Sequence, residues 1–167
     1  AVVYIIFFGS VSSVIKDRFG PFAVDVIRLV QEYLSRLEEG DDDVKESILN
    51  MYNIIIRSCP RSLDEVFDEL LETVVEYIKY DPNTLEFSDE DGDIPEDEEL
   101  EDDDDEFADD EDLSWKLRRL AADCYCSMIN SCQQYYEKIF TRGLPTIIKQ
   151  LKEKVEIVLN SLLCAYR

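Results

Sequence analysis

Residues 21–59 read PFAVDVIRLVQEYLSRLEEGDDDVKESILNMYNIIIRSC, and they contain two helical patterns separated by Gly40. In the first pattern an apolar residue returns at every third or fourth position, the spacing of one helix face. The residues of this stripe are Phe22, Val26, Leu29, Val30, Tyr33, Leu34 and Leu37. The acidic run 41–43 suits the cap and first turn of a second helix. This stretch therefore predicts two consecutive amphipathic helices, 21–38 and 44–59.

Helical patterns continue towards the C-terminus. The segment LDEVFDELLETVVEYIKY begins directly after Ser62, which we expect to cap it. Three further segments are LSWKLRRLAADCYCSMINSC from residue 113, YYEKIFTRGLPTIIKQLK from residue 135 and VEIVLNSLLCAYR from residue 155. Pro145 lies inside the second of these, so we expect a kink there. The chain thus predicts helices throughout, apart from one acidic segment.

The first stretch, AVVYIIFFGSVSSVIKDRF, is ambiguous. Its continuous run of β-branched and aromatic residues locally favours a strand. It is too short to span a membrane, which needs about 20 apolar residues, and it lacks the basic start of a signal peptide. Because every other element is helical, we expect a buried helix whose packing partner lies in a preceding, missing part of the protein.

The negative charge of the chain is concentrated in residues 81–112. The formal net charge is −22, yet this segment holds 20 of the 39 acidic residues and no Lys or Arg. The remaining residues are almost neutral. Like charges repel and few apolar groups are available to offset the ordering entropy, so the sequence predicts a disordered acidic loop.

The helices repeat at a regular spacing. Val44, Trp115 and Val155 each open the second helix of a pair, and the last two lie 40 residues apart. Without the acidic loop, the first two are separated by a similar length. A helix-pair repeat of this length is typical of HEAT and armadillo solenoids. We predict an all-α solenoid of HEAT/ARM-type pairs, divided into residues 1–80, an acidic insertion at 81–112 and residues 113–167. A plain helical bundle is the alternative.

Several passages resemble one family of such solenoids. IKYDPN, then the acidic run, then DLSWKLRRLAADC resembles the cullin-associated and neddylation-dissociated proteins. LPTIIKQLKEKVEIV is similar to the next repeat of that family. RFGPFAVDVIRLVQEYL and IIIRSCPRSLDEV fit the preceding repeat more loosely. Together these passages cover nearly the whole chain, which looks like a divergent member.

The resemblance implies a non-enzymatic scaffold segment. Proteins of that family wrap around cullin–RING ubiquitin ligases that lack the ubiquitin-like modifier, and they help to exchange substrate receptors. It implies binding to a cullin and its RING subunit, and it also implies a location in cytoplasm and nucleus. One segment alone should bind weakly, as a monomer or with weak self-association through its ends.

Five residues are candidates for partner binding. They are Lys45, Trp115, Lys116, Arg119 and Lys152. Lys116 and Arg119 lie about 60° apart in helical projection, whereas Arg118 points elsewhere, so the three cannot serve one surface. The competing interpretation is structural, because surface ion pairs are common and a Trp that opens a packed helix is usually buried.

Composition excludes several classes of function. The chain has no His, which removes Ser-His-Asp catalysis and His-ligated metals, and its five Cys form no C-x-x-C pair. Cys59, Cys124, Cys132 and Cys164 fit small core positions. The charge of −22 argues against nucleic acid and anionic membranes as partners. We expect no cofactor, metal or catalytic residue.

Two other functions remain open. An importin-type transport receptor is also a HEAT solenoid with an acidic loop, and it would select basic cargo. A Ca²⁺-responsive helical protein is the second alternative, because the segment from Phe87 partly matches an EF-hand loop. Phe87 and Pro95 replace ligands at two positions of that loop, which argues against tight Ca²⁺ binding.

Overall fold

The computed structural model describes residues 2–38, 40–80, 114–151 and 156–166. In these ranges the regular elements are helical, and none is a β-strand. The α-helices are α1 (Val2–Ile15), α2 (Gly20–Leu34), α3 (Asp42–Ser58), α4 (Phe67–Ile78), α5 (Ser114–Ser131), α6 (Tyr136–Gln150) and α7 (Glu156–Tyr166). The predicted disorder of 81–112 and the predicted contact residue Lys152 fall outside the described residues. No helix in the described ranges has the length and apolar character needed to cross a membrane.

The helices form two layers, which confirms the predicted α-solenoid. In the first layer α1 packs on α3, α3 on α5, and α5 on α7. The second layer contains α2, α4 and α6, and each of these helices also contacts the first-layer helix that follows it. The first-layer helices α3, α5 and α7 begin within two residues of the predicted starts of second helices. The pattern of paired helices is therefore the one that the spacing predicts.

Each passage from the first layer to the second runs through a short 3₁₀ turn. The three turns are Lys16–Phe19, Pro60–Ser62 and Gln133–Tyr135. They occupy equivalent positions, between α1 and α2, α3 and α4, and α5 and α6. The recurrence of the turn shows that the repeat unit extends beyond the helices to their connections.

One hydrophobic core runs through both layers. Its largest fully buried side chains include Tyr52, Tyr125 and Phe67. The buried Cys59, Cys124 and Cys132 also belong to this core, as predicted. Burial raises the pKa of the Cys59 thiol to about 11 and that of Cys132 to about 12, so both stay protonated and unreactive at neutral pH.

Three local predictions were wrong. The helix after Ser62 begins at Phe67 rather than at Leu63, because residues 60–62 form the 3₁₀ turn and residues 63–66 form another tight turn. Val66 precedes α4 without a side-chain cap. The first-layer helix α3 also lacks one, since Asp41 accepts a hydrogen bond from the backbone N–H of Glu38 instead (3.1 Å).

The N-terminal stretch is a helix, as expected, but most of it is not buried. Only Ile5, Gly9 and Ser12 of α1 are buried. Packing on α3 covers a single face of the helix. Large apolar side chains stay exposed on the rest of it: Val3, Tyr4, Ile6, Phe7 and Val14.

Candidate protein-binding surface

A polar stripe runs along the exposed side of α3 and α5. Its residues recur at helical spacing and include Asp43, Asn50, Asn53 and Arg57 on α3, with Arg119, Asp123, Ser127 and Asn130 on α5. The two halves of this stripe are adjacent, because the Ser127 hydroxyl donates to Asn53 Oδ1 at 2.6 Å. We call it the first-layer stripe. Polar and charged side chains on neighbouring helices are suited to hydrogen bonding with another protein surface.

Lys116 and Arg119 lie near the N-terminal end of this stripe. The Arg119 side chain is 46% exposed, and its Nε lies 3.8 Å from Asp123 Oδ2. Lys116 is half-buried, and its amine lies 6.0 Å from the centroid of the Trp115 ring. Trp115 itself is half-buried against the core. The structure thus brings three of the five predicted contact residues to one helix end, with Trp115 taking part in packing.

Lys45 occupies a different environment. Its side chain is only 7% exposed, and the amine lies 3.0 Å from Asp42 Oδ1 and 5.4 Å from the Tyr80 ring centroid. Burial alone would lower the pKa of Lys45, but the hydrogen bond and charge of Asp42, together with Tyr80, outweigh it and raise the pKa. The ammonium is therefore held within the chain. A role for Lys45 in partner binding stays a prediction.

Arg118 joins the two chain segments that flank the acidic insertion. It is 9% exposed, and its NH1 donates to the Tyr80 carbonyl at 3.2 Å and to the Ser114 hydroxyl at 2.6 Å. Tyr80 precedes residues 81–113 and Ser114 follows them. A planar guanidinium can hold both groups because its donors are fixed in one fork. Helical projection correctly separates Arg118 from Lys116 and Arg119, but it does not reveal that Arg118 bonds both Tyr80 and Ser114.

The second layer carries a polar contact that sequence reasoning missed. The Lys138 amine of α6 donates a hydrogen bond to Asp68 Oδ2 of α4 at 2.7 Å. Arg142 NH1 lies 3.1 Å from the other carboxylate oxygen of Asp68. The second contact is an ion pair without an aligned hydrogen bond. The hydrogen bond from Lys138 lowers the pKa of Asp68, helped by the charges of both cations and opposed by partial burial. No periodicity within one helix could predict this pair, since it joins residues 70 and 74 positions apart.

The described residues do not assemble a metal site. No group of three or more His, Cys, Asp or Glu side chains in that part of the chain is arranged to hold an ion. The partial EF-hand match at Phe87 lies outside the described residues.

Comparison with known proteins places the chain among cullin-associated proteins. It is 35% identical over 155 residues to "Cullin-associated NEDD8-dissociated protein 1" of Arabidopsis thaliana, which covers 90% of this chain and 12% of that protein. The protein of the same name from Drosophila melanogaster is 32% identical, with 83% of this chain and 11% of the relative covered.

A second named type matches as well. "Cullin-associated NEDD8-dissociated protein 2" of Mus musculus is 30% identical over 161 residues, covering 95% of this chain and 13% of the relative. No family model matches the chain. The chain spans only about an eighth of the length of these relatives. Over nearly its whole length it nevertheless aligns with them, and it therefore belongs, as a divergent segment, to the family of cullin-associated NEDD8-dissociated proteins.

Proposed function

We propose that this chain is a cullin-binding segment of a non-enzymatic regulator of cullin–RING ubiquitin ligases. The observation that carries the proposal is the identity of 30–35% with proteins named as cullin-associated, over 83–95% of the chain. We further propose that the protein prefers complexes that lack the ubiquitin-like modifier, and that it acts in substrate-receptor exchange. Its place of action would be the cytoplasm and nucleus.

The first-layer stripe is the surface we propose for the contact. It is polar, it extends over adjacent helices, and Lys116 and Arg119 can meet acidic groups of a partner at its N-terminal end. Affinity in a solenoid accumulates over many repeats, so one segment contributes a modest share. The chain would therefore serve as one contact among several along a longer protein.

The test is capture of a cullin–RING complex by the chain immobilised at high density on beads. We expect the unmodified complex to be retained and the complex carrying the modifier to pass through. The double variant Lys116→Glu/Arg119→Glu should lose most of the capture. The matched control is Lys79→Glu/Lys149→Glu, which makes the same charge change at exposed positions outside the stripe.

Two results would contradict the proposal. Capture of neither complex by a chain with a helical circular dichroism spectrum would remove the cullin as partner. Equal loss of capture in both double variants would show that overall charge, rather than the stripe, governs retention.

A further inference from the structure

A groove separates α2 from α4 in the second layer. It has a volume of about 490 Å³. An ion pair, with 3.0 Å between Arg28 NH2 and Glu65 Oε2, links the two chain segments just before the groove, and the lining residues follow it on both sides. The lining includes Gln31 and Leu34 from α2, with Glu69, Glu72, Glu76 and Tyr77 from α4. We call this feature the α2–α4 groove.

One wall of the α2–α4 groove is acidic. Glu69, Glu72 and Glu76 are three and four residues apart, so their side chains share one face of α4. All three are exposed, and none makes an ion pair with a residue that the structure describes. No Lys or Arg is among the described residues that line the groove. The wall therefore presents three carboxylates whose charge no described side chain neutralises.

The cations next to the groove are already paired. Arg28 forms an ion pair with Glu65, and Arg36 forms one with Glu32. A paired arginine repels a basic ligand much less than a free one, because the two charges of the pair largely cancel. Lys79 lines a separate cavity between α4 and α6. The electrostatic character of the groove is therefore set by its three glutamates.

The α2 side of the groove carries a polar group without a partner. The Gln31 Nε2 atom is buried, and no described residue accepts a hydrogen bond from it. Buried polar groups in native proteins almost always have a partner. An amide N–H in the lining of a groove suits the carbonyl oxygen of a bound peptide. Leu34 and Tyr77 are half-buried in the same lining and offer apolar surface to the methylene stems of Lys and Arg.

A second unpaired group lies behind the α4 wall. The Tyr52 hydroxyl is fully buried, and it has no hydrogen-bond partner among the described residues. Tyr52 lies seven residues before Cys59, as Tyr125 does before Cys132, and the Tyr125 hydroxyl donates to a carbonyl of the second-layer helix α6. Burial raises the pKa of Tyr52, and Tyr77 of the groove lies close enough to raise it further. Tyr52 therefore points from the core towards the groove.

Several separate cations fit the acidic wall better than one metal ion does. In the described ranges no group of three or more His, Cys, Asp or Glu side chains is arranged to hold a single ion. The helical rise separates Glu69 from Glu76 by about 10 Å along α4. An extended chain covers that distance in about three residues. A Lys/Arg-rich segment with this spacing can pair with the wall, whereas the carboxylates would repel nucleic acid.

We propose that the α2–α4 groove binds a Lys/Arg-rich segment of a partner protein in an extended conformation. Its cationic groups pair with Glu69, Glu72 and Glu76, and one of its backbone carbonyls accepts a hydrogen bond from Gln31. The net charge of −22 draws such a segment towards the chain. This inference goes beyond the proposed function, because the groove lies in the other layer from the first-layer stripe and the partner need not be a cullin.

The test is a methyl NMR titration of the whole chain, labelled at Leu and Thr, with an excess of unlabelled Lys/Arg-rich peptide. Residues 81–112 are acidic and attract the same peptide, so binding is read locally. We expect saturable shifts of Leu34 and Thr73, which line the groove, and none of Leu163 on α7. The Kd is taken from Leu34, and it should rise with salt.

Two variants locate the contact. Glu69→Gln/Glu76→Gln removes two charges from the wall and should raise the Kd at least about fivefold. Thr73→Phe adds bulk inside the groove without changing its charge, and it should also raise the Kd at least about fivefold. The matched control Glu137→Gln/Glu156→Gln removes the same charge at exposed positions outside the groove, and it should change the Kd less than about twofold.

Three outcomes would overturn the proposal. The first is the absence of Leu34 and Thr73 shifts at low salt, and the second is equal weakening by the two double variants. The third is weakening by Glu69→Gln/Glu76→Gln but not by Thr73→Phe, which would assign the peptide to the exposed face of α4 instead of the groove. Retained cullin capture by Glu69→Gln/Glu76→Gln would show that the two proposals concern separate surfaces. Circular dichroism of each variant verifies folding.

Discussion

Arg118 and Arg119 are neighbours in the chain, yet their side chains have opposite roles. A helix turns 100° per residue, so one side chain enters the layer interface while the other reaches solvent. Arg118 is 9% exposed and bridges Tyr80 and Ser114, whereas Arg119 makes one long ion pair with Asp123. For single residues, the burial of a charged side chain, rather than its residue type, decides how much it contributes to the free energy of unfolding.

Replacing these two arginines by alanine should therefore have very different effects. Arg118→Ala should lower the free energy of unfolding by about 2 kcal/mol, because two hydrogen bonds from a charged donor are lost and their acceptors stay partly buried. Arg119→Ala should change it by less than about 0.5 kcal/mol, since exposed ion pairs contribute little. Urea denaturation followed by circular dichroism measures both. Equal effects of the two substitutions would contradict a stabilising role for the Arg118 hydrogen bonds to Tyr80 and Ser114.

At the scale of elements, helix contacts depend on a few close approaches. Gly143 of α6 faces Tyr125 of α5, whose hydroxyl donates to the Ile139 carbonyl at 2.9 Å. A Cβ at Gly143 would lie 2.1 Å from the Tyr125 ring. The ring is 1% exposed and cannot move aside, so this glycine sets the distance between the two helices.

Gly143→Ala should destabilise the chain despite the better helix propensity of alanine. Overpacking of this kind costs about 1–3 kcal/mol, which exceeds the gain of about 1 kcal/mol from propensity. Gly40→Ala is the matched control, because no described residue beyond its chain neighbours has an atom within 4 Å of the added Cβ, and it should stay within about 0.5 kcal/mol of the parent. Thermal unfolding distinguishes them. A Gly143→Ala chain as stable as the parent would show that α5 and α6 separate easily.

The contact between α4 and α6 predicts a dependence on pH. The pKa of Asp68 is lowered in the folded chain, chiefly by the hydrogen bond from Lys138. The ionised Asp68 carboxylate therefore contributes to the free energy of unfolding above its unfolded pKa of about 3.8. This contribution is lost as pH falls through the lower pKa of the folded chain. Because the Asp68 side chain is 48% exposed, we expect this contribution to the free energy of unfolding to be less than about 1 kcal/mol.

The measurement is the difference in urea midpoint between the parent and Asp68→Asn. The difference should favour the parent at neutral pH and shrink at about pH 3. Glu72→Gln on the same helix is the control, because Glu72 makes no ion pair with a described residue. A difference that stays constant or grows towards acid would exclude the charge of Asp68 as its cause.

For the whole molecule, the geometry at Tyr80 and Ser114 bears on the long acidic insertion. The Tyr80 carbonyl and the Ser114 hydroxyl both bond the same Arg118 nitrogen, so these two atoms lie at most about 6 Å apart. A chain residue spans up to about 3.5 Å, so a few residues suffice to join the two ends. The packing of α4 on α5 therefore does not require an insertion of this length.

Replacing residues 84–110 by four Gly/Ser residues should preserve helical content and thermal stability. The shorter loop should raise the free energy of unfolding by up to about 1 kcal/mol, from the smaller entropy of loop closure. Circular dichroism during heating tests this. A lower melting temperature or a loss of helicity would show that the insertion itself supports the solenoid.

The sequence alone determined the all-α class, the paired helices and their repeat, because apolar spacing and turn residues are local properties of the chain. It also separated Arg118 from Lys116 and Arg119. Only the tertiary structure decided that Lys45 is paired internally and that α4 begins at Phe67. The Lys45 amine lies 5.4 Å from the ring centroid of Tyr80, and the Pro60 carbonyl in the turn before α4 accepts a hydrogen bond from Gln134. These contacts join residues tens of positions apart, and local patterns carry no information about them.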